Sequence, residues 1–370
     1  MRKNVMVVVA VLFAAIGAAM LTSCAKQKKS EGLSVAIITN TGVDDNGFNQ
    51  DCYAGILAFK EENSDTKVTP IKDPIIANAM QSVLDVIADN DVLILPGFQY
   101  SAVGTIAKDN PDHKIILVDT SAVDNDGNLV ELPNIYSMQF KEEQAGFFAG
   151  LAAALYTKTN KVAVVNGMAF PPNVNFQFGF YSGVNYANKA FGTKAQYIEL
   201  PSYAGTDVRG ENVGGNYTND FNDIAAGKVV GDALIKAGVD VIFAAAGNAG
   251  NGVFTAAKEA NGVYLIGVDV DQWDSGMKGS ESLMITSALK IMHTNVTKQL
   301  RAIKDGTFKG ENALLGAESD SVGFVSTKDR TLLNDEQIEK MNTAYEAVKA
   351  GTIIPASNFS DFTPTNFPGL

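Results

Sequence analysis

The 370-residue chain has only two cysteines and two histidines. One cysteine, Cys24, would be consumed by lipid as described below, which leaves Cys52 without an intrachain partner, so stability must come from burial of apolar surface. His113 and His293 are far apart and no paired cysteines accompany them, so no metal site follows from spacing. Positive charge is also short: 29 Lys and Arg stand against 41 Asp and Glu, for a formal charge of −12. A surface that acidic disfavours nucleic acid and anionic lipid as partners. The sequence contains no Gly-x-x-x-x-Gly-Lys-Ser/Thr loop, so it is not itself an ATP-driven motor, and no Gly-x-Ser-x-Gly elbow. Nothing in it calls for a cofactor.

What is present begins with a leader. Arg2 and Lys3 precede an apolar run from Val5 to Met20, and Leu21-Thr-Ser-Cys24 follows. A basic start, an apolar core and a cysteine at the cleavage position predict a lipoprotein signal peptide over 1–23, with lipid on Cys24 and a polar tether over 24–32. More than one acyl chain on Cys24 suffices for stable anchoring, because a single chain holds only marginally. The expected location is the bacterial cell envelope, facing the periplasm or the exterior. The alternative is an uncleaved membrane span, since the run is near the lower limit of about 17 residues. Loss of Arg2 and Lys3 with the leader would change the charge from −12 to −14. About 340 remaining residues exceed what one core usually organises, which argues for two lobes.

Short β-rich runs recur, each followed by a helix-like segment: 33–38, 91–95, 114–118, 161–165, 239–243 and 263–267. Continuous apolar strands alternating with helices predict an α/β fold with parallel sheets. Ligands of such folds sit beyond the carboxyl ends of the strands. The unusual polar and glycine-rich segments fall there: 39–50, Pro96-Gly-Phe98, Asp119-Thr-Ser121, Gly167-Met168, 246–252 and 269–273. Two sets, 33–137 and 138–287, repeat one plan, as two lobes facing across a cleft would. The segment 204–219, rich in Gly, Asn and Thr, reads as a long surface loop.

Asp44-Asp-Asn-Gly-Phe-Asn-Gln50, Gly247-Asn-Ala-Gly-Asn-Gly252 and Gly267-Val-Asp-Val-Asp-Gln272, supported by Thr286-Ser-Ala-Leu-Lys290 and Val348 to Pro355, resemble the basic membrane protein family of ABC-transporter substrate-binding lipoproteins, especially its purine nucleoside receptors. The resemblance implies a type I periplasmic binding protein with two Rossmann-like lobes joined by three crossings near 137, 288 and 324. It divides the chain into an N-terminal lobe of 33–137 plus 288–324 and a C-terminal lobe of 138–287 plus 325–370. It also implies nucleoside capture for separate permease and ATPase subunits, with inosine, guanosine or adenosine as ligand.

By the same resemblance, Phe48 and Phe221 stack on the base from opposite lobes, Asn49 contacts base or ribose, Asp269 accepts from ribose hydroxyls, Gly247 lets backbone approach the ligand, and Lys290 is a ligand-site lysine that could also neutralise the site carboxylates; Asp119, at the carboxyl end of another buried strand, is placed to accept from ribose hydroxyls in the same way. The alternatives are local: a hydrophobic staple for either ring, a helix cap for either aspartate, an exposed helical position for Lys290. Asp44 and Asp45 read as turn-shaping and helix-capping residues. Asn40 stands where the nucleoside receptors carry aspartate. A carboxylate only accepts and suits the protonated N1 of an oxopurine, whereas an amide both donates and accepts, which opens the site to adenosine. An enzyme would need a base, and no histidine occurs in a cleft loop. A sugar receptor of the same fold and a surface adhesin remain the other readings.

Overall fold

The computed structural model describes residues 32–358 and 360–370; Cys24 and the leader lie outside them. The body, Leu33–Leu370, contains two six-stranded sheets. The first is built from β1 (Ser34–Thr39), β2 (Lys67–Lys72), β3 (Val92–Pro96), β4 (Lys114–Val118), β5 (Ile135–Phe140) and, from much later in the chain, β15 (Glu311–Leu315). Its order is β15-β5-β4-β3-β1-β2, parallel throughout. The second uses β6 (Lys161–Asn166), β7 (Gln196–Tyr197), β10 (Val241–Ala245), β11 (Tyr264–Asp269), β14 (Met284–Lys290) and β16 (Val322–Phe324). Its order is β16-β14-β11-β10-β6-β7, with only β16 antiparallel. The first five strands of each sheet therefore follow one doubly wound plan. Two lobes of the type I periplasmic binding protein class result, their strand ends facing one cleft.

All six β-rich runs form strands, and their cores are fully buried, because helices cover both faces of each sheet. The edge strand β2 carries Pro70 and escapes a reading based on apolar runs; at an edge a missing donor is tolerated. The chain leaves the first sheet after Phe140, returns to that lobe after Lys290, and leaves again after Leu315 to enter β16 at Val322. These crossings fall a few residues from 137, 288 and 324, and residues 322–324 pair with β14 of the second sheet rather than joining the first. Buried strands run unbroken into the hinge, as the Phe140–Leu315 and Lys290–Val322 pairings show, so apolar pattern alone gives no stop signal there.

The second lobe is held by a close contact between two long helices, α4 (Glu142–Tyr156) and α5 (Pro171–Phe191). Earlier helices are α1 (Phe48–Glu62), α2 (Ala79–Val86) and α3 (Gly104–Asp109); later ones are α6 (Ile224–Lys236), α7 (Gly250–Glu259), α8 (Met292–Lys304) and α9 (Asp335–Lys349). A Cβ on Gly150 would lie 2.0 Å from the Phe180 carbonyl oxygen, and one on Gly179 would lie 2.1 Å from that of Glu143. Only glycine allows the backbones to approach so closely.

The segment 204–219, expected as a surface loop, is a hairpin of β8 (Gly205–Thr206) and β9 (Asn212–Gly214) on a buried base. Asn216 is fully buried and donates to the carbonyls of Val164 and Ile198 at 3.1 and 2.9 Å. The Tyr217 hydroxyl donates to Gln177 Oε1 at 2.7 Å. Polar residues anchor this base by hydrogen bonds, which leave no trace in hydrophobic periodicity. No helix among the described residues is long and apolar enough to cross a membrane.

Candidate functional site

The loops leaving the carboxyl ends of both sheets enclose a cavity of about 640 Å³, part of it open to solvent. Asn40, Phe48, Asn49, Asp119, Phe221, Gly247, Asp269 and Lys290 all line it. Phe98, Phe170 and Phe176 line it as well; Phe98 stands in a strand-end segment read from sequence, but none of the three was assigned a ligand contact. Phe98 follows β3 directly, so its position at a strand end was the available signal; Phe176 lies inside a helix, where its period marks it as core.

Asp119 and Asp269 occupy equivalent places at the carboxyl end of the fourth strand of each sheet, Asp119 just after β4 and Asp269 as the last residue of β11, and each has left-handed backbone, φ 64° and 68°. Aspartate tolerates this conformation better than most residues, and strain of this kind gathers at functional sites. Both side chains are 9% exposed, and both Oδ1 atoms lack a hydrogen-bond partner. Lys290 ends β14 and is 2% exposed, so it is not an exposed helical lysine. Its Nζ donates to Asp119 Oδ2 and lies 3.6 Å from Asp269 Oδ1. The same ammonium stands 4.7 Å from the centre of the Phe48 ring and 5.5 Å from those of Phe140 and Phe176. Burial raises the pKa of Asp269 to about 6 against the pull of Lys290. Burial likewise raises Asp119, although Lys290 opposes the rise. Burial works against the charge on Lys290, but Asp119, Asp269 and Glu142 outweigh it and hold the ammonium firmly protonated. Such a cluster has hydrogen-bond acceptors in excess of its own donors.

The aromatic wall is built differently. Phe48 opens α1, whose exposed amides are gathered by Asp45: its carboxylate accepts from the backbone N–H groups of Gly47, Asn49 and Gln50 at 3.0–3.1 Å. Asp44 is exposed. The Asn49 amide donates to Thr41 Oγ1. On the other lobe, Phe221 precedes α6, whose N-cap Asp223 accepts from Ala226 N at 2.9 Å. The Phe221 ring lies over Gly167, where a Cβ would come within 2.2 Å of it, and its carbonyl accepts from Ala249 N at 2.9 Å. Gly247, at φ 56°, packs against the same residue. Rings of Phe98, Phe170 and Phe221 form a row, with centroids 5.3 and 5.9 Å apart.

The lobes touch across the cleft. Gln272 Nε2 donates to the Asn46 carbonyl at 2.9 Å, Asn222 Nδ2 to that of Asn40 at 3.4 Å, and Phe98 of the first lobe meets Phe170 of the second. A flat, polar-edged ligand would therefore find aromatic faces, amides and a carboxylate–ammonium cluster in one cavity.

The model of the family described as ABC transporter substrate-binding protein PnrA-like matches residues 33–202 and 211–358. Between the two matched spans, 203–210 is unmatched and includes β8 of the β8–β9 hairpin. The chain is 31% identical over 326 residues to the CD4+ T-cell-stimulating antigen of Listeria monocytogenes, with 82% of each chain covered. It is 28% identical over 335 residues to the ABC transporter nucleoside-binding protein BmpA of Lactococcus lactis, covering 84% of this chain and 87% of the relative. Among solved structures it resembles an ABC transporter solute-binding protein from Aeropyrum pernix K1, with TM-score 0.73, 22% identity, and 89% and 94% of the two chains covered. That likeness speaks to fold.

Proposed function

Because the chain belongs to the family of PnrA-like ABC transporter substrate-binding proteins, we propose that it captures a nucleoside, of the purine class, between its two lobes and delivers it to separate permease and ATPase subunits. The observation that carries this reading is the convergence of eight residues, drawn from both lobes, on one cavity. Phe48 and Phe221 offer π-faces to the base, a kind of contact worth roughly 1–3 kcal/mol per base in nucleic-acid complexes. Asp119 and Asp269 present carboxylates to the ribose hydroxyls, and their unpartnered Oδ1 atoms support that role. Asn40 and Asn49 read the base edge. Asn40, as an amide, accommodates adenosine as well as oxopurines. A relative named as nucleoside-binding supports the ligand class.

Capture proceeds by closure, with the Gln272–Asn46 and Asn222–Asn40 contacts fastening the mouth. Lipid on Cys24 holds the body at the envelope through the 24–32 tether; the wild type should incorporate a labelled fatty acid and Cys24→Ser should not, and label absent from the wild type or retained in the variant would refute the anchor.

Calorimetric titration of the body, residues 33–370, refolded to strip carried-over ligand, tests the ligand. Micromolar or tighter binding of inosine, guanosine or adenosine with ribose silent is expected. Ribose binding with nucleosides silent would replace this reading by a sugar receptor, and no heat with any of them by a surface-interaction role.

A further inference from the structure

Two aromatic residues of the cavity, Phe98 and Phe170, take no part in the stacking assigned to Phe48 and Phe221, and both stand on backbone that the local sequence fixes. Phe98 follows Gly97, whose φ of 114° and ψ of 156° lie in a region open in practice only to glycine. Gly97 N donates to the Val118 carbonyl at 2.9 Å, which ties that turn to the end of β4. Phe170 precedes Pro171 and Pro172, the first residues of α5, and a residue before proline is confined to extended backbone. Its φ of −70° and ψ of 155° are of that kind, and its carbonyl accepts from Val174 N at 3.1 Å as the helix begins. The two rings meet with centroids 5.3 Å apart and planes tilted by 44°, and Phe170 packs in turn on Phe221 at 5.9 Å and 47°. Phe221 is seated closely on its own lobe, where Gly167 leaves the room its ring takes. Of the three cross-cleft contacts described above, only Phe98–Phe170 joins two residues that both line the cavity.

We propose that Phe98 and Phe170 form a latch that couples closure of the cleft to the presence of a base, and so selects nucleosides over free sugars. The proposal rests on the nucleoside reading of the cleft. Phe98 belongs to the first lobe and Phe170 to the second, so opening the cleft parts the rings and closing it restores their contact. A base lying on Phe221 restrains that ring, and through it Phe170, in the position that receives Phe98. Aromatic pairs of this geometry gain beyond the area they bury. A pentose has no π-face to lay on Phe221, and leaves Phe170 without that support. Phe170 is therefore a positioning residue that acts through Phe221 and Phe98. Its effect falls on dissociation, because a latch made after the ligand enters must break before the ligand leaves.

The test is calorimetry and stopped-flow dissociation on the protein used for the titration above, with adenosine, adenine and ribose as probes. Phe98→Leu and Phe170→Leu should each weaken adenosine about threefold to tenfold, mostly through faster dissociation, and weaken adenine by the same factor. The double variant should be no more than about twofold weaker than the poorer single variant, because either change alone breaks the pair. Phe170→Tyr keeps the ring and should recover most of the affinity that leucine loses; Phe98→Leu, placed in a turn, tests the latch even where a change at Phe170 disturbs folding. Losses that add in the double variant, unchanged dissociation in the single variants, no recovery by tyrosine, or a wild type that binds ribose as well as adenosine would overturn the latch alone. Silence from adenosine and adenine alike in the wild type would overturn the cleft reading and the latch together.

Discussion

Asp269→Asn separates what this residue does for the ligand from what it does to the fold. In the folded protein the carboxyl holds its proton up to about pH 6, whereas its ordinary value is 3.8. Between those values the folded state binds a proton that the unfolded chain has lost, so stability falls as pH rises through the window and the penalty is complete above about pH 6. A gap of about two units corresponds to roughly 3 kcal/mol at most. Asparagine keeps the shape, tolerates the left-handed φ of 68° and removes the charge. Lys290 retains Asp119 as its partner. The ligand-free variant should therefore be more stable than wild type at about pH 8, by about 1–3 kcal/mol, and the gain should vanish near pH 4. Urea unfolding followed by tryptophan fluorescence and circular dichroism across that pH range measures it. Nucleoside affinity should meanwhile fall while free-base affinity does not. A variant less stable than wild type at pH 8, or a gain that does not change with pH, would refute the electrostatic reasoning. An equal loss of free-base affinity would refute the ribose assignment.

Phe48→Ala should weaken all bases alike, by about 1–3 kcal/mol in calorimetric titration, and unchanged binding would return Phe48 to a packing role. Gln272→Ala removes a hydrogen bond that spans the lobes, so the scattering radius of the ligand-free protein should rise and affinity should drop by about 1 kcal/mol; equal radii would mean that the contact does not hold the cleft. Gly150→Val places a side chain where even a Cβ would lie 2.0 Å from the Phe180 carbonyl oxygen, and should destabilise the body by more than about 3 kcal/mol in denaturant unfolding.

Some of this arrangement was legible because it is written locally. The six apolar runs announce parallel strands, since a strand covered on both faces has no polar side to show. Once strands are placed, the loops at their carboxyl ends are placed too, and this brings Asn40, Asp119, Gly247 and Asp269 toward one edge. Asp45 was readable as a capping residue from its place just before a helix, and it accepts three backbone N–H groups there. Phe48, Phe221 and Lys290 came from family resemblance, because neither period nor composition distinguishes a stacking ring or a buried ammonium from a packed or exposed one.

Other features had no local signature. Glu142 looks like an acid in the first turn of a helix, a common place for one on dipole grounds, and only the docking of α4 against the hinge buries it beside the Asp119–Lys290 pair. The hairpin at 205–214 stands on Asn216 and Tyr217, whose partners lie as far away as Val164 and Gln177. Phe170 reaches the cleft only because the second lobe presents it to Phe98 of the first.

Alternation of apolar runs with helices, the glycine-rich strand ends and the scarcity of cysteine and histidine determined an α/β, two-lobed body whose single cysteine, Cys52, has no second cysteine within it to pair with. The tertiary structure decided where the chain crosses between lobes, which carboxylates share one lysine, which rings meet across the cleft and how far the cavity extends. Those properties depend on distances between residues some 170 positions apart, as with Asp119 and Lys290, and no local pattern encodes such a distance.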